Sequence, residues 1–237
     1  MRLFIDTGSV AEVEEVAAWG VLAGATTNPS LLAGAAREAG GQKGDPGAAI
    51  VRICELVDGP VSAEVVSDDA EAMVEEGRAL RSLHEHVTVK VPFGAAGLRA
   101  TRALTDEGIP VNMTLVFSPN QALLSAEAGA TYVSCFLGRL DDISVDSAQV
   151  LAEIVGCLRP AGATAQVLAA SIRHPEHVVT AAKLGCDVAT LPAKVLRQML
   201  EHPLTSAGIE RFAADWRSRP EFGEWLHALV AGGPVRA

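Results

Sequence analysis

The sequence predicts an α/β protein, a single (β/α)8 barrel domain over residues 1–237, with 204–232 as a C-terminal helical extension. Three observations predict it. Short runs of β-branched and apolar residues recur eight times, and helix-like segments lie between them. Their starts lie roughly 20–37 residues apart, the length of one βα unit. The chain of 237 residues also suits a barrel of about 250. Strands alternating with helices make a parallel sheet, and eight of them close it into a TIM barrel. A doubly wound open sheet is the competing topology, but no G-x-G-x-x-G follows the first strand.

In chain order, the first strand is RLFIDT (2–7), leading into the helical VAEVEEVAAW. GATTN (24–28) is the second, and the Gly-rich GGQKGDPG (40–47) is a loop within that longest unit. VSAEVV (61–66) precedes the helix DDAEAMVEEGRALRSLH, and VTVKVP (87–92) precedes GLRATRALTDEG. PVNMTLV (110–116) precedes SPNQALLSAEAG. The last two helices end in Gly, a frequent C-cap, and SPNQ opens with Ser then Pro, a frequent helix start. TYVSCFL (131–137), AQVLAAS (165–171) and VATLP (188–192) complete the set. AKVLRQMLEH, SAGIERFAADW and EFGEWLHALVA then supply more helix than a minimal barrel needs. Their Trp216, Phe222 and Trp225 suit packing on the barrel itself or on a neighbouring subunit.

Composition narrows the function. A net charge of −10, with no long basic run, argues against nucleic-acid or membrane-surface binding, so an anionic substrate must be met by a few placed cations. MRLFID enters a strand directly with no signal-peptide pattern, and no apolar stretch reaches the roughly 18 residues that span a bilayer, so a cytoplasmic location is expected. Cys54, Cys135, Cys157 and Cys186 form no C-x-x-C pair and read as free thiols, mostly buried. His84, His86, His174 and His177 match no metal-ligand spacing and read as solvated histidines, so no metal is expected.

In a parallel barrel the active site lies at the C-terminal ends of the strands, so polar residues there carry the information. They are Asp6 and Thr7; Thr26, Thr27 and Asn28; Glu64; Lys90; Asn112 and Thr114; Ser134; and Ser171 with Arg173 just beyond. Lys90 is the sharpest signal. The chain has four lysines, and Lys43, Lys183 and Lys194 sit in loop or helix contexts, whereas Lys90 interrupts a strand of Val, Thr and Val. A lysine inside a barrel is costly as an unpaired cation, and burial favours the neutral amine that attacks a ketone to give an imine. Imine chemistry also needs groups that move protons, and Asp6 and Glu64 supply two carboxylates. A structural ion pair of Lys90 with either one is the alternative reading. Asn28, Asn112, Thr114 and Ser134 suit a polyhydroxylated substrate. Arg139 after the sixth strand, with Ser171 and Arg173 after the seventh, suits a phosphate cradle, with an Arg139 bridge to Asp141 or Asp142 as the alternative.

These residues stand in phrases that resemble the transaldolase family: FIDTG (4–8), ATTNPSLL (25–32), SAEVVS (62–67), VKVP (89–92), GIPVNMTLVFSPNQA (108–122), FLGRLDD (136–142), LAAS (168–171) and LPAKVLRQMLEHPLTSAGIERFAADW (191–216). The short length resembles the small transaldolases, a group that includes the fructose-6-phosphate aldolases. The resemblance implies a Schiff base on Lys90, an acid/base role for Asp6 at the C4 hydroxyl, and a Glu64 carboxylate working through a water held partly by Thr114. It implies hydroxyl contacts from Asn28, Asn112 and Ser134, and phosphate contacts from Arg139, Ser171 and Arg173. It further implies sugar-phosphate substrates, no cofactor, and a homo-oligomer, a pentamer or decamer. The aldolase members carry Gln where Glu64 stands and Tyr where Phe136 stands, so both positions resemble the transaldolases. A Schiff-base aldolase releasing free dihydroxyacetone is the runner-up, and a barrel that only binds phosphosugars is the non-catalytic alternative. Residues 143–151 and 40–47 depart from the family's phrasing.

Overall fold

A computed structural model describes residues 1–38 and 45–231. The chain forms two compact units, Met1–Leu196 and the segment from Arg197 onward. In the first, eight parallel strands close into a barrel in sequence order, as the strand spacing predicts. They are β1 (Arg2–Asp6), β2 (Gly24–Thr26), β3 (Val61–Glu64), β4 (Val87–Pro92), β5 (Val111–Val116), β6 (Tyr132–Phe136), β7 (Gln166–Ala170) and β8 (Val188–Leu191). The helices of this unit are α1 (Val10–Ala17), α2 (Pro29–Glu38), α3 (Pro46–Val57), α4 (Ala70–Arg81), α5 (Ala95–Asp106), α6 (Pro119–Glu127), the short α7 (Leu137–Asp141), α8 (Ser147–Leu158) and α9 (Pro175–Lys183), followed by α10 (Ala193–Leu200).

Alternation along each strand sorts side chains between two cores. Outward residues such as Ile5, Ala63, Val133, Cys135, Val167 and Leu191 join the large core shared with the helices. Inward, Phe4, Tyr132, Leu168, Ala170 and Val188 fill the barrel, with the Phe4 and Tyr132 rings edge to face at 6.1 Å. Gly24 makes room for this plug. A Cβ there would lie 2.5 Å from the Phe4 ring, and overpacking of this kind costs about 1–3 kcal/mol. The barrel interior therefore runs from apolar on the floor to polar at the C-terminal ends.

Helix ends follow the local chemistry. Ser118 accepts a hydrogen bond from Gln121 N to cap α6, and Gly108 and Gly129 take positive φ after α5 and α6, as expected. The loop expected at 40–47 is shorter at its far end: Asp45 caps α3 through Gly47 N, so Pro46 and Gly47 are already helical. Residues 39–44 of that segment, including Lys43, lie outside the described residues. Cys54, Cys135 and Cys186 are buried free thiols and Cys157 is half-buried; burial is the main cause raising the first three, to about 11 for Cys54 and about 12 for the other two.

The second unit contains α11 (Pro203–Arg217) and α12 (Pro220–Val230), with Trp216 and Phe222 rings 5.5 Å apart; position 232 lies outside the described residues. Neither helix buries a residue. Among the described residues no helix is long and apolar enough to cross a membrane.

Candidate active site

Strand pairing sets the site's layers. Glu64 pairs with Lys90 across β3 and β4, and Lys90 pairs with Asn112 across β4 and β5, so three inward polar side chains share one level. Lys90 is 5% exposed. Its Nζ lies 3.0 Å from Glu64 Oε2 and donates to the Thr27 carbonyl at 3.1 Å. The amine is thus held by one carboxylate and one peptide oxygen in a buried position, where such contacts are stronger than in water. Lys183 and Lys194 are exposed on α9 and α10.

Asp6 ends β1 opposite Thr26. The Thr26 hydroxyl donates to Asp6 Oδ1 at 2.7 Å and lies 2.7 Å from the Thr190 hydroxyl on β8. Burial pushes the Asp6 carboxyl above the ordinary carboxylate range; the Thr26 hydrogen bond and the Lys90 charge pull it back in part, and Glu64 adds to the rise. A carboxyl so placed is suited to exchanging protons with a bound hydroxyl.

Asn112 is fully buried and locked at both ends. Its amide donates to Ser62 Oγ at 3.0 Å and its oxygen accepts from Ser134 Oγ at 2.6 Å. Asn28 uses its side-chain oxygen to cap α2 through Leu31 N, which leaves the amide protons for a ligand. A cavity of about 140 Å3 opens among Asp6, Asn28, Lys90, Asn112, Ser134 and Arg139, with Phe136, Ser171 and Thr190 also on its wall. Phe136 stacks edge to face on Phe117 at 5.8 Å.

Glu64 and Thr114 lie beside this cavity and not on its wall. Glu64 reaches Lys90 from the side of a larger cavity of about 930 Å3 between α1, α2, α3 and α4. Thr114 lies within a register shift in β5 between Met113 and Val116, where Leu115 adopts φ 61 and is exposed. The Thr114 hydroxyl is buried with no hydrogen-bond partner among the described residues. It sits across from Pro92, two residues beyond Lys90.

The cation end also differs in part from expectation. Arg139 lines the cavity mouth and makes no ion pair among the described residues, so neither Asp141 nor Asp142 holds it. Arg173 is exposed, off the cavity wall, and bridges Asp142 at 2.7 Å. Ser171 lines the cavity in a left-handed conformation, φ 56, and its carbonyl accepts from Gly138 N at 3.0 Å. A Cβ on Gly138 would overlap that carbonyl and the Arg173 side chain, so the Arg139 and Ser171 loops meet backbone to backbone. His177, read as solvated, is buried and pairs with Asp141 at 3.0 Å; burial, then neighbouring His174, holds its imidazole below the ordinary value.

Ser62 and Thr190 join the site without having been expected there. Each lies on the inward face of a strand, two residues before Glu64 in one case and opposite Phe4 in the other, so period-two counting alone could have found them.

The transaldolase/fructose-6-phosphate aldolase family model matches residues 3–222 of the chain. The chain belongs to this family. It is 54% identical to a probable transaldolase of Thermus thermophilus over 218 residues, covering 91% of this chain and 98% of the relative. A probable transaldolase of Moorella thermoacetica is 54% identical over 217 residues, covering 91% and 97%. One from Myxococcus xanthus is 51% identical over 222 residues, covering 93% and 96%. The transaldolase/fructose-6-phosphate aldolase match and the barrel agree, and the protein is an enzyme of that family.

Proposed function

We propose that the enzyme is a transaldolase that forms a Schiff base through Lys90. It moves a three-carbon dihydroxyacetone unit from a ketose phosphate, sedoheptulose 7-phosphate or fructose 6-phosphate, to an aldose phosphate, glyceraldehyde 3-phosphate or erythrose 4-phosphate. This is a step of the non-oxidative pentose phosphate pathway, run in the cytoplasm without a cofactor. The observation that carries the reading is the buried Lys90 amine, 3.0 Å from Glu64, facing a cavity that Asp6 also lines.

In this reading Lys90 Nζ attacks the donor ketone at C2, and Glu64, with a water held by the otherwise unpartnered Thr114 hydroxyl, moves the protons that expel water and leave an imine. Asp6 takes the C4 hydroxyl proton, the C3–C4 bond breaks, the aldose leaves, and the bonding electrons pass to the imine as an enamine. The enamine attacks the acceptor aldehyde, Asp6 returns its proton, and water releases the new ketose phosphate from Lys90. Asn28, Asn112 and Ser134 hold sugar hydroxyls, while Arg139 and Ser171 hold the phosphate; Arg173 acts beside them through Asp142 and the Gly138 loop. The resemblance implies a homo-oligomer, pentamer or decamer, and the exposed Leu204, Ile209 and Phe212 of α11 supply apolar surface for one.

Phe136 supports transfer over release. It lines the cavity without a hydroxyl that could fix a water for protonating the enamine. The test is fructose 6-phosphate with and without erythrose 4-phosphate. Rapid transfer with little free dihydroxyacetone in the acceptor's absence is expected, and Phe136→Tyr should shift the balance toward release. Equal or faster release by the wild type would make the enzyme an aldolase.

A further inference from the structure

We infer that Thr190 is a positioning residue for the proton chemistry at Asp6, acting through Thr26 as a two-hydroxyl relay. The inference rests on the reading of Asp6 as the acid/base at the cleaved bond, and extends it to a residue on the opposite side of the β1–β8 seam.

A single proton sets the direction of this chain. Thr26 carries a single hydroxyl hydrogen, and its oxygen lies 2.7 Å from Asp6 Oδ1 and 2.7 Å from Thr190 Oγ1. An ionised carboxylate only accepts, so Thr26 donates to Asp6. Thr190 must then donate to Thr26, because the other direction would leave the Asp6 oxygen facing a lone pair. Both threonines are buried, 2% and 3% exposed, so bulk water is poorly placed to replace either donor. Thr190 makes no other side-chain hydrogen bond among the described residues. Its proton is committed to this chain, which runs from β8 through β2 to β1.

The relay has a chemical consequence. A hydroxyl that receives a hydrogen bond becomes a better donor, and in a buried site this polarisation passes along the chain. Thr190 therefore strengthens the bond that Thr26 makes to Asp6 and favours the ionised carboxylate, the form that takes a proton from the substrate. The charged groups facing Asp6 are Lys90, which also favours ionisation, and Glu64, which opposes it. Among these Thr190 acts only through Thr26, so its loss should change how Asp6 titrates without touching the Lys90 amine.

The experiment compares the wild type with Thr190→Val, which keeps the shape and removes the donor, and with Thr190→Ser, which keeps the donor. The reading is the pH dependence of kcat/KM for fructose 6-phosphate, together with the rate of borohydride trapping at Lys90. Thr190→Val should move the acid limb upward and lower kcat roughly three- to tenfold at neutral pH, the worth of about one hydrogen bond. Trapping at Lys90 should remain at the wild-type rate, and Thr190→Ser should restore the wild-type profile. An unshifted acid limb in Thr190→Val overturns the relay. If Thr190→Val does not fold, a shifted profile in Thr190→Ser overturns it equally, since that variant retains the donor. Asp6→Asn separates the two levels: if it keeps full cleavage and the same acid limb, the acid/base reading has failed and the relay falls with it.

Discussion

Lys90 Nζ and Glu64 Oε2 lie 3.0 Å apart at one level of adjacent strands, inside a barrel whose floor is closed by Phe4 and Tyr132. The pair answers the question that a lysine in an apolar strand poses. Burial of the amine is offset because the Glu64 carboxylate lies beside it and the Thr27 carbonyl accepts a hydrogen bond from it. In the proposed reaction the same contact places a base on the amine that attacks the ketone.

Glu64→Ala should therefore slow imine formation more than it weakens substrate binding. Loss of a positioned acid/base typically costs on the order of 10²–10⁴ in rate. The measurement is the time course of borohydride trapping with fructose 6-phosphate. A slow approach to the same final labelling is expected, and a wild-type time course would remove Glu64 from the proton transfers.

Asp6 carries a stability consequence of opposite sign to the usual surface carboxylate. Its folded-state carboxyl is raised, chiefly by burial, so the folded protein holds that proton more tightly than the unfolded chain does. The favourable contribution is present at low pH and is lost as pH rises from the unfolded value through the folded one. Asp6→Asn should then raise Tm at neutral pH while cleavage falls, and the gap in Tm should close at acid pH. Thermal unfolding across pH checks this; a lower Tm for Asp6→Asn at neutral pH would mean that the ionised carboxylate is well compensated.

At the phosphate end, Arg139 and Arg173 should separate. Arg139 faces the cavity without an ion-pair partner among the described residues, whereas Arg173 is engaged by Asp142 on the outside. Arg139→Ala should raise KM for a phosphorylated donor roughly ten- to hundredfold, the worth of one charge-assisted contact, and leave the unphosphorylated sugar unchanged. Arg173→Ala should have the smaller effect on KM. Comparing both sugars on both variants decides it, and equal effects on the two sugars would take Arg139 out of phosphate recognition.

The fold was largely legible because period-two runs and helix caps are local signals. All eight strands occur where RLFIDT to VATLP place them, and the ends overshoot by a residue or two where the chain turns into a cap. Asn28 is such a case, since its side chain caps α2, and Leu137 is another, since it opens α7. Lys90, Asp6 and Asn112 were legible because a polar residue in an apolar strand needs an explanation. The pairing of Arg173 with Asp142, the burial of His177 against Asp141 and the Thr190 relay were not. Each depends on which side chains from distant strands and loops meet across the barrel top, and spacing along one strand carries no record of that.

Peptide mapping after borohydride reduction with fructose 6-phosphate tests the proposed covalent step on Lys90 most directly. One reduced sugar adduct is expected, carried by the peptide containing residues 87–92 and absent from Lys90→Ala, which should also lack turnover. An adduct on Lys43, Lys183 or Lys194, or full turnover with no adduct at all, would contradict it.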